Sequence, residues 1–317
     1  MRPLRMLLPG TIYFITNRCV DEQFFLKPGK KINNLIGGWL GRALAKYGRG
    51  ITIYGFIFMS NHYHILLKDT KGMMPKFMWY FQTNLAKAIN REMKRHGGSV
   101  FAKRYDAVPV ADDESFLNRL IYILGNGVKA RLVKRADQWP GLSSLGASLN
   151  GEKLIFKMLN ATAYQLACLA KGANRVNKKD YIETYIIPIA PPDCFADKSP
   201  KKVQSAIRDL LTAFEQKHAL ERKDKGQKVL GVKKIMSTNF RDRPVNPSFS
   251  PRVMIFCKDK FTKEEYKEAL RSFTAAYQEA SASFKNATMK KKRSMAEWPD
   301  YSCPPFCIIP TGYKEAV

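Results

Sequence analysis

Two of the four histidines in the chain, His62 and His64, stand two residues apart. On a strand, residues i and i+2 project from one face, so both imidazoles would aim at one spot. Neutral imidazole suits a divalent cation, although two ligands alone make a weak site. Apolar runs flank the pair, Phe56-Ile57-Phe58-Met59 before it and Ile65-Leu66-Leu67 after it. Mid-sheet, two buried histidines are costly unless something coordinates or hydrogen-bonds them. The plainer alternative is one hydrogen-bonded sheet histidine and one that faces solvent. A second constellation is Tyr122 and Asn126, four apart and so on one face of a helix. A phenol serves as a covalent nucleophile when a nearby cation offsets the developing phenolate, its free pKa being about 10. An amide oxygen four residues on could add a metal ligand. Within the run Leu120 to Leu124, Tyr122 could equally be an ordinary core aromatic.

The elements that must position these groups are legible in the first 150 residues. Thr11 to Asn17, rich in β-branched and aromatic residues, reads as a strand. Lys31 to Lys46 spaces Ile32, Leu35, Ile36, Trp39, Leu40, Ala43 and Leu44 as an amphipathic helix. Ile51 to Met59 and His62 to Lys68 form a hairpin about the turn Ser60-Asn61. A second helix runs from about Lys76 to Arg95 and stops at Gly97-Gly98. Ala107 to Val110 offers a fourth strand, and Asp112-Asp113 cap a third helix from about Glu114 to Leu124. The order β-α-β-β-α-β-α predicts an α+β fold of the split βαβ kind, an antiparallel sheet with helices on one face. Residues 1–150 read as one unit. The segment 151–317 reads as a basic, mainly helical extension of unnamed fold, with helices at about Ala161–Lys171, Pro200–Asp224 and Thr262–Lys285.

Lys and Arg total 54 against 27 Asp and Glu, a net charge of +27 over 317 residues. The excess is not confined to a tail, since 1–150 holds 23 basic and 9 acidic residues and the remainder holds 31 and 18. Such a field attracts polyanions, and nucleic acid is the commonest large one. No window approaches the roughly 20 apolar residues of a membrane helix, and the start is too short for a secretory signal. The expectation is a soluble, intracellular protein with no membrane partner. Six cysteines (Cys19, Cys168, Cys194, Cys257, Cys303, Cys307) are too sparse for a disulfide framework in a chain this long. Cys303 and Cys307 have no second pair or nearby His to complete a metal knuckle.

Four motifs in order then resemble one family. Phe58-Met-Ser-Asn-His62-Tyr-His64-Ile-Leu-Leu67 resembles the histidine signature of the single-tyrosine HUH transposases. Phe101-Ala-Lys-Arg-Tyr105 resembles their "lFxxRY" segment, and Tyr122-Ile-Leu-Gly-Asn126-Gly-Val-Lys-Ala130 their "YIxxNPVRA" helix. Trp139-Pro-Gly-Leu-Ser-Ser144 resembles their "WxxSS" ending. The likeness covers about residues 4–150 and points to the REP-associated tyrosine transposase type. Two positions differ, Gly127 and Ser60 standing where the family usually has proline.

The resemblance implies a ferredoxin-like fold and a DNA strand transferase of the cytoplasm, associated with the nucleoid. It implies that His62, His64 and Asn126 hold Mg or Mn against a scissile phosphate, that Tyr122 attacks it, and that no nucleotide cofactor is needed. Its partner would be single-stranded DNA with a palindromic hairpin, and the protein could act as a homodimer. Phosphate contacts would come from Arg91, Lys94, Arg95, Lys103, Arg104, Lys129, Arg131, Lys134 and Arg135, with Trp79, Tyr80 and Phe81 as possible stacking rings. The alternative is a non-catalytic regulator, derived from such an enzyme, that binds a DNA or RNA hairpin. A two-histidine phosphoesterase would need a second HxT or HxS element, which His96 and His218 do not supply.

Overall fold

Four segments of alternating or fully apolar character pair into one antiparallel sheet: β1 (Thr11–Arg18), β2 (Ile51–Phe58), β3 (His62–Asp69) and β4 (Asp106–Val110), in the order β2-β3-β1-β4. In this computed structural model, which describes residues 4–245, 253–289, 297–298 and 300, α1 (Lys30–Tyr47) links β1 to β2 and α2 (Met74–Glu92) links β3 to β4. That strand order with those crossovers is the expected ferredoxin-like split βαβ sandwich. The pair Cys303 and Cys307 and the run Lys290–Arg293 lie outside the described residues. Cys19, Cys168, Cys194 and Cys257 are free thiols.

Both faces of the sheet are buried. On one, Ile15, Phe56, Phe58, Tyr63, Ile65 and Leu67 meet Ile36 and Leu40 of α1 and Phe77, Phe81 and Leu85 of α2. The other face carries Phe14, Tyr54, Ile57 and Leu66 and is covered by Phe116, Leu120, Ile123 and Leu124 of α3 (Asp113–Leu124). The two crossover helices α1 and α2 therefore lie on one face, as expected, whereas α3, also expected there, covers the second. A β-bulge between Ile53 and Gly55 lets consecutive parts of β2 serve both cores. Gly55 permits close approach of α3, since a Cβ there would lie 2.8 Å from Leu120 Cδ1.

The second helix ends earlier than its glycines suggest. Lys94 adopts a left-handed backbone (φ 52°), and Arg95 N–H donates to Asn90 O (2.8 Å) while Lys94 N–H donates to Arg91 O (3.2 Å). This is a Schellman terminus built on lysine, so α2 stops at Glu92 and leaves Lys94 and Arg95 beyond it.

After α4 (Asn126–Lys129) and α5 (Leu145–Asn150) come β5 (Leu154–Leu159), α6 (Ala161–Lys171), β6 (Ile182–Ile187), α7 (Pro200–Asp224), α8 (Val232–Ser237) and α9 (Lys260–Met289). Three of these helices match the expected ones. The antiparallel β5–β6 pair was not foreseen. It packs on α1 at glycines, where a Cβ on Gly37 would fall 2.2 Å from Phe156 Cε1 and one on Gly41 2.6 Å from Tyr185 Cβ. Val203, Ile207 and Leu211 of α7 join the core under α3. No helix among the described residues is long and apolar enough to cross a membrane.

Candidate active site

The alternation of β3 decides where the histidines go. Tyr63, Ile65 and Leu67 enter the α1–α2 core, so His62, His64 and Leu66 point to the α3 side. The two rings lie 5.0 Å apart between centroids and are nearly perpendicular. Phe14 of β1 stacks on His64 at 5.0 Å, and Tyr122 from α3 meets the same imidazole edge-on at 5.3 Å. Two strands and a helix from separate parts of the sequence thus bring Phe14, His62, His64 and Tyr122 to one place.

Asn126 arrives there by a different route from the one the spacing predicts. α3 stops at Leu124, and Gly125 (φ −94°, ψ 9°) begins the short α4, so Asn126 does not continue the tyrosine helix. The side chain nevertheless comes close enough to His62 to oppose the lowering of its pKa. Gly127 has helical backbone and no positive φ, so the glycine in place of the family's proline uses no special conformation. Gly125 is the position that requires glycine: a Cβ there would meet Phe214 Cε1 of α7 at 2.5 Å.

The histidine nitrogens are set for coordination. Asn61 Oδ1 lies 2.7 Å from His62 Nδ1. Because that oxygen only accepts, the Nδ1 carries the proton and Nε2 keeps its lone pair, the arrangement typical of metal-binding histidines. His64 is 7% exposed, and neither ring nitrogen has a hydrogen-bond partner. Burial, helped by the Arg18 charge and opposed by Asn126, pulls the His62 pKa down to about 4. Burial also holds His64 well below the usual imidazole range, with His62, Arg18, Arg119 and Lys129 adding repulsion. Both rings are therefore neutral at neutral pH. Among the described residues no group of three or more His, Cys, Asp or Glu could hold a metal; the groups gathered here are two imidazoles and an amide. The unpartnered nitrogens of a buried ring fit such a group.

Cations frame the phenol. Lys129 Nζ lies 4.4 Å from the Tyr122 ring centroid and Arg119 Cζ lies 5.1 Å from it. Burial lowers the pKa of both, most directly for Arg119, while their mutual repulsion adds to the lowering at Lys129 and Glu221 opposes it. Arg119, Phe14 and Asn61 had no assigned role in the sequence reading. Arg119 stands three residues before Tyr122 and was open to the same helical-spacing argument; Asn61 adjoins His62. Phe14 depends on sheet register, which pairs it with Leu66.

Of the other basic candidates, the structure brings only Lys129 to the tyrosine. Arg91 and Lys94 are exposed at the end of α2. Arg95 lies over the Phe25 ring (4.1 Å) and donates to Asn90 Oδ1. Lys103 pairs with Asp106 at 2.8 Å, and Arg104 is exposed beside it. Their segment adjoins the histidine end of β1, since Ala102 N–H donates to Arg18 O and Arg18 pairs with His62. Lys134 and Arg131 are exposed beyond α4, Arg131 with φ 58°. Arg135 pairs with Asp137. Of the three aromatic candidates, Phe81 is core, Tyr80 packs on Trp39 and Tyr47, and Trp79 is 62% exposed.

No protein-family model matches the chain, and no curated protein matches it. Among solved structures it is similar to a REP-associated tyrosine transposase bound to a REP hairpin, at 14% identity and a TM-score of 0.40, over 48% of this chain and 87% of that one. It is also similar to a candidate transposase from Deinococcus radiodurans R1 (14% identity, TM-score 0.28, 38% of this chain and 93% of that one). A third is tRNA(His) guanylyltransferase from Saccharomyces cerevisiae (13% identity, TM-score 0.32, 63% and 97%). These likenesses are distant, and the functional reading rests on the site itself.

Proposed function

We propose that the chain is a metal-dependent transferase of single-stranded, hairpin-bearing DNA, a transposase that works through a covalent phosphotyrosine. The observation that carries this reading is the meeting of Tyr122 with a neutral histidine pair, His62 and His64, beside two cations and in a strongly basic molecule. The motif resemblance supplies the substrate class.

The Tyr122 oxygen attacks the scissile phosphorus, and the bond from phosphorus to the 3′ oxygen breaks. The strand on the 5′ side leaves with a free 3′-OH, which takes up, net, the proton the phenol lost. The other strand stays on Tyr122 as a 5′-phosphotyrosyl ester. One phosphodiester replaces another, so no nucleotide cofactor is consumed, and the reverse step with a new 3′-OH rejoins strands. Arg119 and Lys129, 5.1 and 4.4 Å from the Tyr122 ring centroid, place positive charge where the transition state gathers negative charge on the phosphate. Leu120 and Ile123, buried on the same helix, fix the ring against the sheet and reduce the entropy of attack. His62, His64 and Asn126 would hold Mg or Mn, which as a Lewis acid stabilises charge on a phosphoryl oxygen. Two nitrogen donors favour Mn over the oxygen-seeking Mg.

The test is incubation of the full chain with end-labelled hairpin DNA and Mn, followed by denaturing electrophoresis. The expected result is a protein–DNA adduct that survives denaturant and is absent with Tyr122→Phe. Tight hairpin retention by both proteins without an adduct from either would replace this reading with that of a non-catalytic binder.

A further inference from the structure

We propose that Arg119 is a phosphate-binding residue of this site, held in position by Phe256 of the C-terminal extension. The inference rests on the transferase reading above and adds the group that takes the reacting phosphodiester.

The guanidinium of Arg119 is held by ring faces. Its Cζ lies 4.5 Å from the Phe256 centroid, 5.1 Å from Tyr122 and 5.9 Å from Phe14. Aromatic faces attract a cation without using its N–H groups. The five in-plane donors of Arg119 have no hydrogen bond or ion pair among the described residues. The nearest acids on its helix are engaged elsewhere. Asp112 accepts from Ser115 N–H and Lys258 N–H, and Glu114 pairs with the Lys258 ammonium at 2.8 Å. Lys129, 4.4 Å from the same ring centroid, also has no carboxylate at ion-pairing distance among the described residues, and Glu221 is bonded to His218 at 2.8 Å. The partly buried Arg119 and the exposed Lys129, both close to one phenol and neither bonded to a carboxylate among the described residues, make an anion site. The planar fork of arginine matches two oxygens of one phosphodiester, which a lysine point charge does not.

Phe256 is a fixed wall. Its N–H donates to Pro109 O (2.8 Å) and its carbonyl accepts from Ala111 N–H (2.9 Å), extending the end of β4. Its ring also packs edge-on against Phe14 at 5.5 Å. The extension therefore contributes a side chain that touches the arginine beside the tyrosine, and Phe256 is a positioning residue.

Two measurements on the full chain test this. The salt dependence of binding to hairpin-bearing single-stranded DNA reports the number of phosphate contacts, and single-turnover adduct formation with Mn reports the chemistry. For Arg119→Gln the slope of log K against log salt should fall by about 0.7, the loss of one contact on a single strand. Its adduct rate should drop about 100-fold or more, as for other lost donors to a reacting oxyanion. Arg119→Lys should restore the slope and only part of the rate. Phe256→Ala should slow the adduct with the slope unchanged, and Phe256→Leu should recover most of the rate. A wild-type slope and rate in Arg119→Gln, with cooperative melting intact, would overturn the proposal. Absence of an adduct from the wild type would sink the transferase reading alone, because the slope still decides whether Arg119 meets a phosphate. Should Arg119→Gln fail to fold, Arg119→Lys decides by the rate: wild-type turnover would show that the fork is not used.

Discussion

The two faces of strand β3 bury similar amounts of side chain and end in opposite chemical states. On the α1–α2 face, Tyr63, Ile65 and Leu67 are sealed among aromatic and aliphatic neighbours, and the Tyr63 hydroxyl accepts from Gln82 Nε2. On the α3 face, Leu66 and Phe14 are packed just as closely, yet both nitrogens of His64 are left without partners and Arg119 lacks a carboxylate. A structural core satisfies or excludes its polar atoms. The second face breaks that rule at adjoining residues, around one phenol. The contrast sets the face that holds the fold apart from the face on which the proposed reaction depends.

The comparison can be broken at several points. The largest effect is expected from Tyr122→Phe, which should eliminate the denaturant-resistant adduct entirely while changing stability by less than about 1 kcal/mol, because the ring packing survives. Electrophoresis and urea melting measure the two. Next, Ile65→Ala on the sealed face should cost about 2–5 kcal/mol. His64→Leu, one residue earlier on the same strand, should leave stability unchanged or raise it by about 1–3 kcal/mol, since it removes two unpaired polar atoms. Parallel losses in the two variants would erase the distinction between the faces. Third, Mn should stabilise the wild type by about 2.7 kcal/mol at a hundredfold excess over its Kd and should do nothing for His64→Leu. A common shift in both would place the ion elsewhere.

The smallest effect concerns protons. The folded pKa of His62, about 4, lies below the unfolded value near 6.5. Between those values the unfolded chain binds more protons, so the metal-free protein should lose stability as pH falls from 6.5 toward 4, by no more than about 1.4 kcal/mol per pH unit for each ring. Urea midpoints taken across that window should flatten in the variant carrying both His62→Gln and His64→Leu. An equally steep decline in that variant would assign the dependence to carboxylates.

Much of this was open to sequence reading because the relevant order is local. Period-two and period-3.6 patterns marked β1 to β3, α1 and α3 within a residue or two, and the i, i+2 spacing placed both histidines on one face. What escaped depends on distant partners. Nothing near Tyr122 states that its helix crosses to the sheet face opposite α1 and α2. The break at Gly125 reflects the Phe214 ring pressed against it, 89 residues downstream in the sequence. β5 and β6 are six residues each and are separated by α6, so neither alternation alone announces a pair. α2 ended on a left-handed lysine rather than on the two glycines that follow, because hydrogen bonds to Arg91 and Asn90 outweigh the conformational preference of the residue. Phe256 was invisible for the same reason, since its value lies in three backbone and ring contacts to β4, Phe14 and Arg119.

The glycines of α1 set a practical limit on trimming the protein. Gly37, Gly38 and Gly41 form a trough that Phe156, Met158 and Tyr185 fill. A truncated version ending at residue 150 would carry that trough open, with Trp39 and Leu44 on its helix already only partly buried, and would tend to stick to itself. Any shortened version should keep β5 and β6 with the helix they plug, and α7 with the core it completes under α3.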